Sequence, residues 1–269
     1  MLRPQKMILA GMIILFSACT TTTHITNQQP AVNDIASAKL FMAAYQQKAA
    51  EYRALCYQAY NIAQFRLDEF LQQPHSKPLA IMTDIDETIL DNSPYQVHQS
   101  LQGKDYDPVT WHEWTDKASA DTVPGSLQFF QYAASKGVEI FYVTNRDQAE
   151  RASTLNNLQK FNFPYVDNSH LKLMSATSSK GLRRDSIRMT HDIIMQIGDN
   201  LNDMNTAFEK KSVDDRLQTT NQYKGEFGYR YIVIPNPSYG EWENSFYHYK
   251  FNLTPAQKDS VLKTIVKDW

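Results

Sequence analysis

Asp84-Ile-Asp86-Glu-Thr88 follows directly on the apolar run Leu79-Ala-Ile-Met-Thr83, and Gly198-Asp-Asn-Leu-Asn-Asp203 follows a second run from Ile193. Carboxylates therefore gather where two strand candidates end. A strand that buries both faces reads as continuous apolar sequence, and in an open parallel sheet the crevice beyond the carboxyl ends of such strands binds ligands. Asp84 and Asp86 share one side if the strand conformation persists, although a turn beginning here redirects either side chain. Two carboxylates so spaced can work on one substrate atom. Uncompensated, they repel and force protonation unless a cation sits among them, so a hard divalent metal is implied, with Mg²⁺ the expected ion.

The elements that must position these groups can be read from the same pattern. Strand candidates are Leu79 to Asp84, Val138 to Thr144, Ile193 to Gly198 and Tyr229 to Pro235, with helix-length segments between them. Strands alternating with longer connections predict right-handed crossovers and an α/β fold, a Rossmann-like parallel sheet covered by helices. Asn33 to Gln73 contains no Gly or Pro and is rich in Ala, Gln, Leu and Glu, which predicts one long N-terminal helix. Its expected apolar stripe is Leu40, Ala44, Ala54, Leu55, Ile62, Phe65 and Phe70. The stretch from about 91 to 123, with Pro94, Gly103, Pro108 and two tryptophans, falls at the sheet's active edge and reads as a small cap insertion.

A chain of 269 residues with 42% hydrophobic content can bury a full core, read here as one domain over 33–269. Net charge is −2 and the pI about 6.4, so the basic footprint of a long nucleic-acid binder is absent. No Gly-rich Walker or dinucleotide fingerprint occurs.

Arg3 and Lys6 precede the apolar stretch Met7 to Phe16, which is too short to span a bilayer and has the charge order of a signal peptide over 1–18. It ends in Phe16-Ser-Ala-Cys19, which resembles the bacterial lipobox, with Phe16 departing from the usual Leu. The resemblance implies cleavage before Cys19, acylation of its thiol and amine, and residence at the cell envelope, with Thr20 favouring the outer membrane. The alternative is an ordinary signal peptide with a chance Cys. Several acyl chains would make bilayer attachment stable where one does not. Residues 19–32, with four consecutive Thr, read as a flexible tether. Cys56 is the other cysteine and is expected as a small buried hydrophobe.

Asp84-Ile-Asp86-Glu-Thr88, Thr144 closing Phe-Tyr-Val-Thr, Lys180, and Gly198-Asp-Asn-Leu-Asn-Asp203 resemble, in order, the four motifs of the haloacid dehalogenase superfamily. Asp91-Asn-Ser-Pro-Tyr95, Tyr142-Val-Thr-Asn-Arg146 and Pro235-Asn-Pro-Ser-Tyr-Gly-Glu-Trp242 are similar to segments of its class C acid phosphatases. That resemblance implies a nucleophilic Asp84 forming an aspartyl-phosphate, and Asp86 as acid then base. It implies Mg²⁺ held by Asp84, the Asp86 main-chain carbonyl, Asp199 and Asp203, the last directly or through water. Thr144 and Lys180 would meet phosphoryl oxygens, with Lys172, Arg183 and Arg184 as rivals for the lysine's place. Asn145 is assigned to substrate binding, and it and Arg146 either contact substrate or close an ordinary turn. Trp111 and Tyr239 match positions that sandwich a substrate ring, beside the reading that they fill core. No histidine is given a catalytic role.

The implied activity is hydrolysis of phosphomonoesters at acidic pH, with 5′-nucleotides, nicotinamide mononucleotide among them, and aryl phosphates as substrates. The rival from another class is a surface lipoprotein that binds haem or another ligand. A homo-oligomer is left open. Cys19→Ser should abolish incorporation of radiolabelled palmitate, and label retained by that variant would overturn the lipobox reading.

Overall fold

The computed structural model describes residues 34–269, so the expected signal peptide, tether and Cys19 lie outside the described residues. Five parallel strands build the main sheet: β1 (Leu79–Thr83), β4 (Glu139–Val143), β5 (Leu171–Lys172), β6 (Asp192–Gly198) and β7 (Tyr231–Val233), in the order β5-β4-β1-β6-β7. A short antiparallel pair, β2 (Leu90–Asp91) with β3 (Asp121–Thr122), lies apart from it. The helices are α1 (Asp34–Lys48), α2 (Ala50–Phe70), α3 (Ser93–Leu101), α4 (Pro108–Thr115), α5 (Ser126–Ser135), α6 (Arg151–Lys160), α7 (Gly181–Arg188), α8 (Leu201–Met204), α9 (Val213–Gln222), α10 (Glu241–Phe246) and α11 (Pro255–Ile265). The α/β class and all four anticipated strands are present. The edge strand β5 was not anticipated, because two residues carry no readable period.

Alternation of side chains along the strands divides the interior into two layers. Ile81, Ile140, Tyr142, Met195 and Ile197 face one side, where α2 and α5 cover them with Tyr60, Leu67, Phe70, Phe129 and Phe130. Ala80, Met82, Phe141 and Val143 face the other, against Ile187 of α7. Both faces are buried, as the unbroken apolar runs require.

β1 lies at the centre, with β4 on one flank and β6 on the other. The chain steps outward from β1 through β4 to β5, then crosses back to β6 on the other flank of β1, which makes the crevice between the carboxyl ends of β1 and β6 a topological switch point. Registers pair Thr83 with Tyr142 and with Ile197, so the residues that follow these strands emerge side by side. Asp84 N–H donates to Ile197 O at 2.9 Å and fixes that adjacency.

The single N-terminal helix is corrected to two. Ala49 adopts an extended backbone (φ −76°, ψ 127°) and separates α1, packed on α3 of the insertion, from α2, packed on the sheet and α5. Helix propensity runs through Ala49 unbroken; the two halves diverge because they cover different surfaces. The stripe is corrected as well. Tyr52, Cys56, Tyr60, Ala63, Leu67 and Phe70 are buried, whereas Leu55 and Phe65 are 43% and 60% exposed. Tyr, Cys and Ala mark the buried face less loudly than Leu and Phe mark the outer one. Cys56 is free and buried, as expected.

Leu67→Ala should therefore cost about 2–5 kcal/mol in chemical denaturation, the usual range for emptying a core site. Phe65→Ala on the same helix should change stability by less than about 0.5 kcal/mol. A reversed order would restore the original stripe.

Candidate active site

Three strand ends supply the site. Asp84 leaves β1, Thr144 leaves β4 and Asp199 leaves β6, and the loop before α7 brings Lys180 over them. Lys180 is almost fully buried, with Nζ 2.7 Å from Asp84 Oδ1 and 2.7 Å from Asp203 Oδ1. Burial opposes its charge, but Asp203 and Asp84 outweigh that and raise its pKa above the ordinary lysine value. Carboxylate oxygens of Asp84, Asp199 and Asp203 all lie within 4.8 Å of one another. Burial is the largest influence on Asp84 and lifts it to about 7; Lys180 pulls against that lift, while Asp203 and Asp86 add to it. Asp199 is also pushed well above the carboxylate range, by burial and then by Asp203 and Asp84.

Neutral donors hold the cluster in place. Thr88 Oγ1 donates to Asp199 Oδ1 at 3.2 Å and accepts from Asp199 N–H at 3.0 Å, and Asn236 Nδ2 donates to Asp199 Oδ2 at 2.8 Å. Asp203 closes a capping box with Asn200, whose N–H donates to Asp203 Oδ2 at 3.0 Å. Gly198 is required by this fold-back: a Cβ there would lie 2.5 Å from Asp203 Cβ.

Asp86 points into a second group. Arg146, a buried residue to which the sequence assigns no catalytic role, donates through Nε at 3.1 Å and Nη2 at 2.8 Å to Asp86 Oδ1. Asn92 Nδ2 donates to the same oxygen at 2.8 Å, and the Thr144 hydroxyl faces Oδ2 at 3.4 Å. The latter distance is long for O–H···O, which leaves that hydroxyl free to turn to another acceptor. Between the two groups sits Glu87, buried at φ 55°. Its pKa is raised well above the usual range by burial and then by Asp86, and it accepts from Asn92 N–H and the Tyr239 hydroxyl.

The aromatic candidates rim this arrangement. Trp111 on α4 packs edge-on to Tyr95 with centroids 5.1 Å apart, lies 5.8 Å from the Arg146 guanidinium, and donates Nε1–H to Glu150 at 2.9 Å. It is 9% exposed, so packing accounts for most of its surface. Trp114 donates to Asn92 Oδ1 at 2.8 Å. Asn145 is exposed and its Oδ1 accepts from Arg183 Nη2 at 2.8 Å, away from the carboxylates. Arg183 also donates to Thr144 O, so this rival of Lys180 braces the strand end instead. Of the other rivals, Arg184 donates to Asp203 O and Lys172 approaches the Phe141 ring, so neither has Lys180's pair of carboxylates.

A second cluster, His112, Asp147 and Glu150, also brings ligand atoms within 4.8 Å of one another. Its carboxylates already cap a helix start: Asp147 Oδ1 accepts from Ala149 N–H and Glu150 Oε2 from Asp147 N–H, both at 2.8 Å.

Comparison with known proteins agrees with this geometry. Residues 7–242 match the model of HAD superfamily, subfamily IIIB (acid phosphatase). The chain belongs to that family. The class C acid phosphatase from Bacillus anthracis superposes with a TM-score of 0.84 at 40% identity, covering 87% of this chain and 99% of that one. A tungstate-bound structure of that enzyme matches equally well, over 98% of its chain. Acid phosphatase 1 of Solanum lycopersicum is 25% identical over 162 residues, and a stem 31 kDa glycoprotein of Glycine max is 26% identical over 161. The chain spans 56% and 57% of the length of these plant relatives.

For an acid phosphatase of this subfamily, a divalent cation fits the residues present. Asp84 Oδ1 is buried with no aligned hydrogen-bond partner, and three carboxylates crowd around one point. A loss of stability with rising pH follows from Asp84. Its pKa in the folded protein lies above the unfolded value near 4, so the stability it contributes is present below about pH 4 and is lost as pH rises through about 7. Chelated protein should therefore show a falling Tm between pH 5 and 8 in scanning calorimetry, and Asp84→Asn should flatten that slope. An unchanged slope in the variant would remove Asp84 as its source.

Proposed function

We propose that the protein is a lipid-anchored, Mg²⁺-dependent acid phosphatase of the cell envelope that hydrolyses phosphomonoesters. Nucleoside 5′-monophosphates, nicotinamide mononucleotide among them, and aryl phosphates are its substrates in this reading. One observation carries it: Asp84 and Asp86 after β1, Asp199 and Asp203 after β6, and Lys180 from the loop before α7, distant in the chain, converge at two adjacent strand ends.

Asp84, Asp199, Asp203 and the Asp86 main chain would hold Mg²⁺, which when bound supplies positive charge against the carboxylates and phosphoryl oxygens. Lys180 opposes the lift that burial gives Asp84, a task the bound cation would share, and adds a fixed charge beside the incoming phosphate. Asp84 attacks phosphorus, the ester P–O bond breaks, and an aspartyl-phosphate forms. Asp86, oriented by Arg146 and Asn92, gives its proton to the leaving alkoxide. It then removes a proton from water, which attacks the phosphoenzyme, releases phosphate and restores Asp84. The Thr144 hydroxyl turns from Asp86 to a phosphoryl oxygen. Because the first step takes a proton from Asp86, an acidic optimum belongs to this mechanism.

Tungstate, a tetrahedral oxyanion like phosphate, is bound by the Bacillus anthracis enzyme, which supports a phosphate-like ligand for this chain. Trp111 and Tyr239 offer flat faces at the rim of the crevice, and the lipobox at Cys19 supports the anchored, extracytoplasmic location. Asp84→Asn should lower p-nitrophenyl phosphate turnover with Mg²⁺ by about a thousandfold or more while leaving circular dichroism unchanged. Turnover retained by that variant, or undiminished after chelation, would refute the mechanism.

A further inference from the structure

Lys39 lies on α1, remote from the catalytic carboxylates, and is 7% exposed. Its Nζ is 3.0 Å from Asp105 Oδ1 in the insertion and 3.2 Å from Glu243 Oε1 on α10. Burial opposes the ammonium charge, but Glu243 and Asp105 outweigh it and raise the pKa above the ordinary lysine value. A buried ammonium needs such partners, since a lysine stripped of water without them surrenders its charge.

Each carboxylate lies a few residues along the chain from one of the rim aromatics, Asp105 before Trp111 and Glu243 after Tyr239. On the insertion side, Asp105 Oδ1 also accepts Tyr106 N–H at 3.0 Å, and the Tyr106 ring packs 6.1 Å from Trp111. Asp107 then caps α4 by accepting Val109 and Thr110 N–H at 3.0 Å, one turn before Trp111. On the other side, Glu243 sits in the first turn of α10, which starts immediately after Tyr239-Gly240. Trp242 Nε1–H donates to Tyr239 O at 3.1 Å and ties that helix back to the loop. Lys258 of α11 holds Asp105 as well but makes no pair with Glu243, so among the described residues Lys39 alone joins the two carboxylates.

We propose that Lys39 is a positioning residue that sets the placement of Trp111 relative to Tyr239 by ion-pairing Asp105 and Glu243, and so determines selectivity for phosphomonoesters with a planar ring. The inference rests on the reading of Trp111 and Tyr239 as ring contacts. Removing the ammonium unties the two elements and leaves Glu243 without its buried cation. The catalytic carboxylates, bound through β1, β4 and β6, are untouched.

The test compares kcat and KM for a nucleoside 5′-monophosphate and for glycerol 3-phosphate, with Mg²⁺. Lys39→Met should raise KM for the nucleotide about tenfold, within what loss of stacking can cost, while KM for glycerol 3-phosphate and both kcat values change less than about twofold. Lys39→Arg should restore the nucleotide KM. Lys39→Met/Tyr239→Ala should be no worse than Tyr239→Ala alone, because the lysine acts through the aromatic. Glu243→Gln, which keeps the pair with Asp105, serves the same comparison if Lys39→Met does not fold. Trp111→Ala and Tyr239→Ala run alongside. If they discriminate between the substrates and the lysine and glutamate variants do not, the role of Lys39 is overturned. If the aromatic variants themselves affect both substrates equally, the ring-contact reading falls and the role of Lys39 with it.

Discussion

Four carboxylates share one crevice from which most water is excluded, and the surrounding architecture serves to keep them there. Two unit charges about 5 Å apart repel by about 3 kcal/mol at an effective dielectric near 20. With Asp84, Asp199 and Asp203 inside 4.8 Å, that repulsion would expel a side chain or protonate it unless something compensated. Lys180 is the permanent part of the compensation, wedged between Asp84 and Asp203 and held charged by them. Burial, and then the neighbouring carboxylates, still push Asp84 and Asp199 above the ordinary carboxylate range against the pull of that lysine. A proton or a bound cation can supply the rest of the compensation, and the three carboxylates have the spacing to hold a cation.

Asp86 is treated differently, and the difference divides the labour. It turns away from the lysine to Arg146 and Asn92, with Trp111 beside the guanidinium. Arg146 is rigid and planar, so it fixes the carboxylate's direction as well as its charge. Thr83, Val143 and Gly198 end three neighbouring strands, and the register between them decides that the side chains which follow emerge next to each other.

The strand ends were legible because a buried parallel strand must be uniformly apolar, and an Asp immediately after one stands out. Asp84, Asp86, Thr144, Lys180, Asp199 and Asp203 could all be named from motif and order. The supports were not legible. Arg146 reads as a turn residue in Thr-Asn-Arg, and nothing local says that its guanidinium crosses to Asp86. Asn92, Asn236 and Glu87 act through contacts between segments far apart in the chain, which no period encodes. The partner of Asn145 is hidden in the same way: its neighbour in space is Arg183, on another element. The break at Ala49 was invisible because every residue around it favours helix, and only the two surfaces being covered require the bend.

The ladder of Leu90 with Thr122 and Asp91 with Asp121 has an implication for how this chain could diverge. It draws the entry and exit of the intervening segment together at a narrow neck, secured further by Val123 N–H donating to Ile89 O at 3.0 Å. The outer part of that segment, beyond Asn92 and Trp111, can be lengthened or shortened without altering how the five-stranded platform closes. Evolution is thereby offered a variable slot beside the reaction centre.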